Sequence, residues 1–381
     1  MKSCGLYLHI PFCRSKCIYC DFFSGGVSVA DWDRLVKALL QELGERKGEM
    51  PCIPDTLYIG GGTPSLMPTK AFSRLIDGIN QILGGEIHWQ EATIEVNPDD
   101  VTEEKCILWK KYGINRVSMG VQSFVDSELK NIRRRHDSKC AYDAYGRLRS
   151  FFDNISIDLM FGLPGQTVGS WNESIDKALE VAPDHISAYS LMFEDGTPIS
   201  VLKKNGRLEF PSDDECVNMW KILSLRLSKA GYNQYEISNY SKRGFESLHN
   251  SRYWLGNPYL GRGPSGHSYD GCNVRRANPA DLKGYLERFS LENCGKQNFY
   301  CEERLCAEEL QEEMILTRMR MSQGLSLFEF EKRFGLKYKN RLLRNAYKYI
   351  SDDILIIDDE HLRLSDSGIM IADEVILGLS M

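Results

Sequence analysis

Leu6-Tyr7-Leu8-His9-Ile10-Pro11-Phe12-Cys13-Arg14-Ser15-Lys16-Cys17-Ile18-Tyr19-Cys20 runs an apolar segment straight into three cysteines. The apolar part reads as a buried strand, and the cysteines as a loop hung on its end. Three thiolates can each hold one iron of a 4Fe-4S cube, whereas a fully ligated cube takes four. The remaining iron is then open to a small molecule. A zinc site would call for a further pair of N or S ligands, and none stands next to Cys20. With 12 Cys in 381 residues, the density is far below that of a disulfide-stapled secreted domain.

Outward from this loop, composition bounds the class. The chain is 42% hydrophobic and long enough for one large domain plus a smaller one. Its apolar runs fall short of the roughly 20 residues that span a bilayer, so no integral membrane segment is expected. The start, Met1-Lys2-Ser3-Cys4-Gly5, carries no charged-then-apolar signal pattern, and a reducing cytoplasm is the expected location. A formal charge of −6 gives no overall drive toward nucleic acid. The other nine cysteines, among them Cys272 and Cys294, are scattered and read mostly as small core residues.

Short apolar runs at 6–10, 56–59, 93–96, 116–119, 155–159 and 185–191 read as buried strands, with helical spacing at 30–43, 71–83 and 171–179 between them. Strand and helix alternation implies an α/β fold with a parallel sheet: a partial (β/α)6, TIM-like barrel spanning residues 1–195, with function at the C-terminal strand ends. Residues 196–300, with an amphipathic helix at 213–230 and loops rich in Tyr, Asn and Gly, are expected to close the barrel. Residues 301–381 read as a small, mainly helical, winged-helix-like C-terminal domain, with helices at 308–321 and 327–334 and a hairpin of 354–357 and 362–364. DNA is not expected there, because Asp352, Asp353, Asp358, Asp359 and Glu360 would repel phosphate.

The expected strand ends collect unusual residues. Gly60-Gly61-Gly62-Thr63-Pro64 lets backbone approach a ligand closely. Glu95 is a strand carboxylate in need of a cationic partner. Gln122, Arg134 and Asp158 add polar groups, Arg134 being suited to a two-pronged grip on a carboxylate.

The C-x3-C-x2-C spacing, with Tyr19 before the last cysteine, closely resembles the signature of the radical S-adenosylmethionine (SAM) superfamily. Tyr7 to Cys13, Gly60 to Pro64, Glu95-Val96-Asn97-Pro98, Gly120-Val121-Gln122-Ser123-Phe124 and Asp158 to Pro164 together resemble the oxygen-independent coproporphyrinogen III oxidase family, essentially end to end. That resemblance implies a 4Fe-4S cluster on Cys13, Cys17 and Cys20. It implies a SAM site made by Tyr7, Tyr19, Gly61, Gly62, Thr63, Glu95, Gln122, Arg134 and Asp158. Phe22 stands where the oxidase carries a further cysteine, and the chain starts only six residues before Tyr7. Both features are similar to the haem chaperone (HemW-like) branch, as are His249-Asn250-Ser251-Arg252-Tyr253-Trp254 and the segment Tyr259 to Ser268. Arg133-Arg134-Arg135-His136 departs from that branch's Gly-Arg-x-His.

By this resemblance the chain binds haem and delivers it to haem-accepting proteins, with a low-potential electron donor and a homodimer as further expected partners. His249, Tyr253 and Trp254 are the expected haem contacts, since imidazole is a common axial ligand and aromatic rings pack on a flat macrocycle. His267 and Cys272 stay open as alternatives. The competing reading is a radical SAM enzyme, either the oxidase, which decarboxylates two porphyrinogen propionates, or another enzyme acting on a tetrapyrrole.

Overall fold

The computed structural model describes residues 3–26, 29–290 and 298–380, so Cys294 lies outside the described residues. Six strands pair in parallel and in chain order: β1 (Gly5–Ile10), β2 (Thr56–Gly61), β3 (Glu91–Val96), β4 (Arg116–Gln122), β5 (Ile155–Phe161) and β6 (His185–Ser190). Each expected strand falls on an observed one. The observed β2 and β4 run on into glycine and polar residues that an apolar run does not mark.

Alternation along each strand sorts side chains to the two faces of the sheet. Leu6, Leu8, Ile10, Leu57, Ile59, Ile94, Val117, Met119, Ile157 and Leu159 face outward, into one apolar core shared with the surrounding helices. Helices Val29–Glu45 and Thr69–Leu83 carry the matching stripes, Leu35, Val36 and Leu39 on one and Phe72, Leu75, Ile76 and Ile79 on the other. The alternate positions, including Tyr7, His9, Tyr58, Glu95, Arg116, Ser118, Asp158 and Ser187, face the barrel interior. That interior is polar, and its groups must pair with one another or with a ligand.

Strands β1 and β6 do not pair with each other; the sheet instead grows at both edges to twelve strands. Tyr259–Arg262 lies parallel to β1 and is followed outward by His267–Tyr269, Val274–Ala277 and Cys301–Arg304, while Asn239–Ser241 and Asn233–Glu236 extend the β6 side. The residues expected to close the barrel therefore widen its sheet. They also supply helix Leu248–Leu255, which crosses the N-terminal ends of β1 to β3 and forms the barrel floor. Glu91 fixes this floor helix by accepting from the Ser247 hydroxyl at 3.3 Å and from the backbone N–H groups of Leu248 at 2.7 Å and His249 at 2.8 Å. A carboxylate at a helix N-terminus also meets the positive end of the helix dipole.

Beyond residue 305 a second apolar core forms around Met319, Leu325, Phe330, Leu342, Leu355, Leu362 and Val375. Its elements follow the winged-helix order: helix Ala307–Met319, strand Leu325–Ser326, helices Leu327–Phe334 and Leu336–Ser351, then the hairpin Leu355–Asp358 and His361–Leu364. Helix Leu336–Ser351 lies outside the expected elements. Among the described residues no helix is long and apolar enough to cross a membrane.

The scattered cysteines only partly meet their expectation. Cys4 and Cys106 are buried and Cys52, Cys140 and Cys216 half-buried, but Cys272, Cys301 and Cys306 are exposed, on the polar edge segments.

Replacing Glu91 with Ala strips three donors of their buried acceptor, so the variant is expected to lose roughly 3 kcal/mol in urea unfolding, and Glu91→Gln less. Unchanged stability in Glu91→Ala would remove the floor helix's anchor from this account.

Candidate active site

At the C-terminal end of the barrel a cavity of about 400 Å³ is lined by Cys13, Cys17, Tyr19 and Cys20 from the loop after β1. Gly61, Gly62 and Thr63 line it after β2, Glu95 and Asn97 at β3, Gln122 and Arg134 at and beyond β4, and Asp158 from β5. Local pairing holds the cysteine loop in place. The Cys13 N–H donates to Gly25 O at 2.9 Å, the Gly25 N–H to Pro11 O at 2.8 Å, and the Lys16 ammonium to Phe22 O at 2.9 Å. Ile18 packs below it with Met160, Leu163, Leu191 and Ile199, and Phe12 stands edge-on to Trp32 at 4.8 Å.

The glycine run has a packing cause at two positions. A Cβ on Gly62 would lie 2.7 Å from Phe12 O, because the Gly62 N–H donates to Ile10 O at 2.7 Å and brings the two loops together. At Gly61 φ is +109°, and a Cβ would meet the His9 ring at 2.7 Å. The glycines thus seat the loop after β2 against the base of the cysteine loop. Thr63 then donates its hydroxyl to the Cys13 sulfur at 3.3 Å.

A β-bulge between Gly120 and Gln122 sets Gln122 at φ +69° and turns it into the cavity. A left-handed backbone at a non-glycine residue costs on the order of 1 kcal/mol, and such strain gathers at functional sites. Arg134 differs from its expected pose. Its Nη2 donates to Asn97 Oδ1 at 2.8 Å and also to Gly120 O, and its Nη1 points to the Cys17 sulfur at 3.6 Å. Both terminal nitrogens of this guanidinium are committed to protein and to a thiol, and only its Nε is left without a partner.

Glu95 accepts from the Tyr58 hydroxyl at 2.8 Å and from the Gly61 N–H at 3.1 Å. Burial, reinforced by Asp158, still pushes its carboxyl up to about 7. Burial likewise raises the Asp158 carboxyl, against hydrogen bonds from Ser187 and Ser118. The Cys20 thiol is pushed up to about 11, chiefly by burial, so bound iron would have to displace its proton.

Tyr7 does not line the cavity, although its register partner Tyr58 does. Its hydroxyl meets His9 Nδ1 at 3.1 Å, and its ring packs against Tyr58 and His249. His9 donates from Nε2 to Phe23 O, so Nδ1 accepts from Tyr7. His249 is 0% exposed on the floor helix, with Nδ1 at 2.9 Å from the Thr56 hydroxyl and Nε2 at 3.0 Å from the Tyr253 hydroxyl. Burial lowers its imidazole to about 3. Both ring nitrogens are therefore engaged, and neither is open to an axial iron. Trp254 lies under Arg320 of the C-terminal unit at 5.5 Å. The alternatives His267, on strand His267–Tyr269, and Cys272, in the turn that follows it, are both exposed.

Sequence reasoning missed Tyr58, Asn97, Arg116, Ser187 and Asn250, all on the cavity wall. Alternation in the strands was the available signal for Tyr58 and Arg116. It also missed the apolar rim, where Phe22 is 62%, Met192 64% and Tyr189 40% exposed.

The donor set fits a cluster. Three thiols face one cavity, and a hydroxyl and a guanidinium are directed at two of the sulfurs. Among the described residues no three His, Cys, Asp or Glu side chains converge on a point as a single-ion site requires. A cube places each sulfur on its own iron and needs no such convergence.

Residues 7–178 match the Radical SAM superfamily, and residues 305–371 the HemN C-terminal domain. The chain is 36% identical to "Heme chaperone HemW" of Bacillus subtilis over 98% of each chain. The chain belongs to the HemW family. The protein of the same name from Lactococcus lactis is 32% identical over 98% of this chain and 96% of its own. Coproporphyrinogen III oxidase (HemN) of Escherichia coli shares the fold over the whole chain and 90% of its own, with a TM-score of 0.85 at 21% identity. The two matched regions fall on the barrel and on the C-terminal unit of this chain.

The raised Glu95 carboxyl sets a pH dependence. Its folded pKa exceeds the unfolded one, so the folded state holds more protons between about 4.5 and about 7, and stability falls as pH rises through that window. Glu95→Gln is expected to flatten this decline in thermal melts of the cluster-free protein; an unchanged decline would assign it to another group. Gly62→Ala is expected to incorporate less iron than wild type on anaerobic reconstitution, because its Cβ pushes the Phe12 carbonyl and the cysteine loop away. Equal iron content would show that the loops tolerate the separation.

Proposed function

We propose that this HemW-family chain is a haem-binding chaperone that holds a 4Fe-4S cluster and SAM and hands haem to acceptor proteins. The observation that carries the reading is the three-thiol cavity on a chain similar, end to end, to proteins named heme chaperones. Cys13, Cys17 and Cys20 would hold the cluster, with Thr63 and Arg134 as donors to the Cys13 and Cys17 sulfurs. Gly61, Gly62, Thr63, Glu95, Gln122 and Asp158 would surround SAM, with Tyr19 covering it. Glu95, near neutral when the site is empty of cations, ionises readily beside a sulfonium and so favours a positive ligand. When bound, cluster and SAM together supply one-electron cleavage of the sulfonium.

The division into a barrel over 1–195, a segment over 196–300 and a C-terminal domain over 301–381 belongs to the same reading. In it, the C-terminal domain docks a partner, and the low-potential electron donor and a homodimer remain part of the working scheme. Haem contact by His249, Tyr253 and Trp254 requires His249 to release its bonds to Thr56 and Tyr253. His249→Ala therefore separates two roles. Loss of the Soret band on haem titration, with the melting temperature unchanged, assigns haem to the motif; an intact Soret band with a lowered melting temperature makes the motif a floor anchor.

Reconstituted protein is expected to take up haem stoichiometrically and leave coproporphyrinogen III unconverted under anaerobic conditions with SAM and reductant. Turnover of the porphyrinogen would replace the chaperone reading with the oxidase reading.

A further inference from the structure

Arg116 opens β4 at the bottom of the barrel, six positions before Gln122 at its top, which is roughly 20 Å of strand. Both residues line the same cavity, so the space that begins at the cysteine loop reaches down nearly to the floor helix. Arg116 is 1% exposed, and its Nε and Nη1 meet no protein acceptor. A buried guanidinium with unpaired donors is strongly unfavourable unless something else pairs with it.

The groups that face it are already committed. Glu91 accepts three bonds from the floor helix, and Asp158 accepts from Ser118 at 3.3 Å. The Tyr58 hydroxyl goes to Glu95, and that of Tyr235 lies 2.8 Å from His185 Nε2. Beside Arg116, its register partner Thr93 on β3 holds a second buried hydroxyl with no partner. Asn250, from the floor helix, lines the cavity at this end. Arg116 and Asn250 thus line the lower end of the cavity, beneath the residues assigned to SAM, and the unpartnered Thr93 hydroxyl stands beside Arg116 on the adjacent strand.

We propose that this lower end of the cavity is a carboxylate-binding subsite, anchored by Arg116 with Asn250 as a neutral donor and the Thr93 hydroxyl beside them in support. Arginine suits this task because its planar donors match the carboxylate oxygens. The subsite does not depend on haem or on the cluster, so its failure would leave the chaperone reading untouched. It also gives the asparagine of the H-N-x-x-Y-W motif a use that the neighbouring histidine does not share. The histidine fixes the helix to the strands, and the asparagine meets what the barrel holds.

The test uses the full chain before cluster reconstitution, melted at constant ionic strength in chloride, with acetate and glycine as probes. A ligand that binds only the folded state raises the melting temperature in a saturable way. Acetate is expected to raise it in wild type, to have no effect in Arg116→Met, and to have a reduced effect in Thr93→Val. Arg116→Met also removes the attraction of the guanidinium to Glu91 and Asp158, so its melting temperature in chloride alone is the baseline against which its acetate shift is read. A larger effect of glycine than of acetate would mark an amino acid as the source of the carboxylate, and the reverse a simple acid. Should Arg116→Met fail to fold, Thr93→Val and Asn250→Leu carry the same comparison. No acetate shift in wild type, or equal shifts in wild type and variants, would overturn the subsite and leave the floor to water.

Discussion

The structure depends on pairing polar groups inside a barrel whose outer face is fully apolar. Strand alternation puts Leu, Ile and Val against the helices and sends Tyr, His, Glu, Arg, Ser and Asp inward. An unpaired buried polar group is costly, so the inward row must be closed by internal partners or by a ligand. At the floor the closure is partly internal: Glu91 holds the helix N-terminus, and His249 bridges Thr56 and Tyr253. Along the cavity wall, from Arg116 up to Glu95, it is incomplete, and the incompleteness is what makes a site.

Much of this was readable in the sequence, and the parts that were not share a cause. Apolar runs marked all six strands because their outward rows are uniformly aliphatic. Strand ends were underestimated where Gly60-Gly61 and Gly120 to Gln122 continue the ladder without apolar side chains. Edge strands of three or four residues carry no hydrophobic period long enough to detect, and helix Leu336–Ser351 hides a narrow buried stripe, Leu342 and Ala346, among lysines, arginines and tyrosines. The cysteine spacing announced its chemistry because ligand geometry is local. The haem contacts did not follow in the same way. The histidine motif is local in sequence, but its partners Thr56, Glu91 and Tyr58 come from two other strands.

The glycine run shows how one pattern can serve a different physical end from the one it suggests. Close approach is required, as a triple glycine implies, but at Gly61 and Gly62 the approaching groups are the His9 ring and the Phe12 carbonyl. The ligand-facing property is indirect: by letting the loop after β2 touch the base of the cysteine loop, the glycines bring the Thr63 hydroxyl onto the Cys13 sulfur. A sequence pattern fixes the constraint, and the fold decides which neighbour imposes it.

Three unfavourable features converge on the one cavity: a left-handed Gln122, a Glu95 carboxyl whose proton is held to about neutral pH, and an Arg116 without an acceptor. Other buried charges in the barrel are paired, as Asp184 is by Arg149 and the Ile155 N–H. A fold optimised for stability alone would replace each of the three at little cost to packing. Their concentration at the strand ends and along the wall below is better explained by what the cavity must receive. The left-handed turn aims an amide, the near-neutral carboxyl answers an arriving positive charge, and the arginine answers a negative one. The cavity is thus prepared for a ligand or ligands bearing both signs, with the acidic group high, near the cysteines, and the basic one low, against the floor.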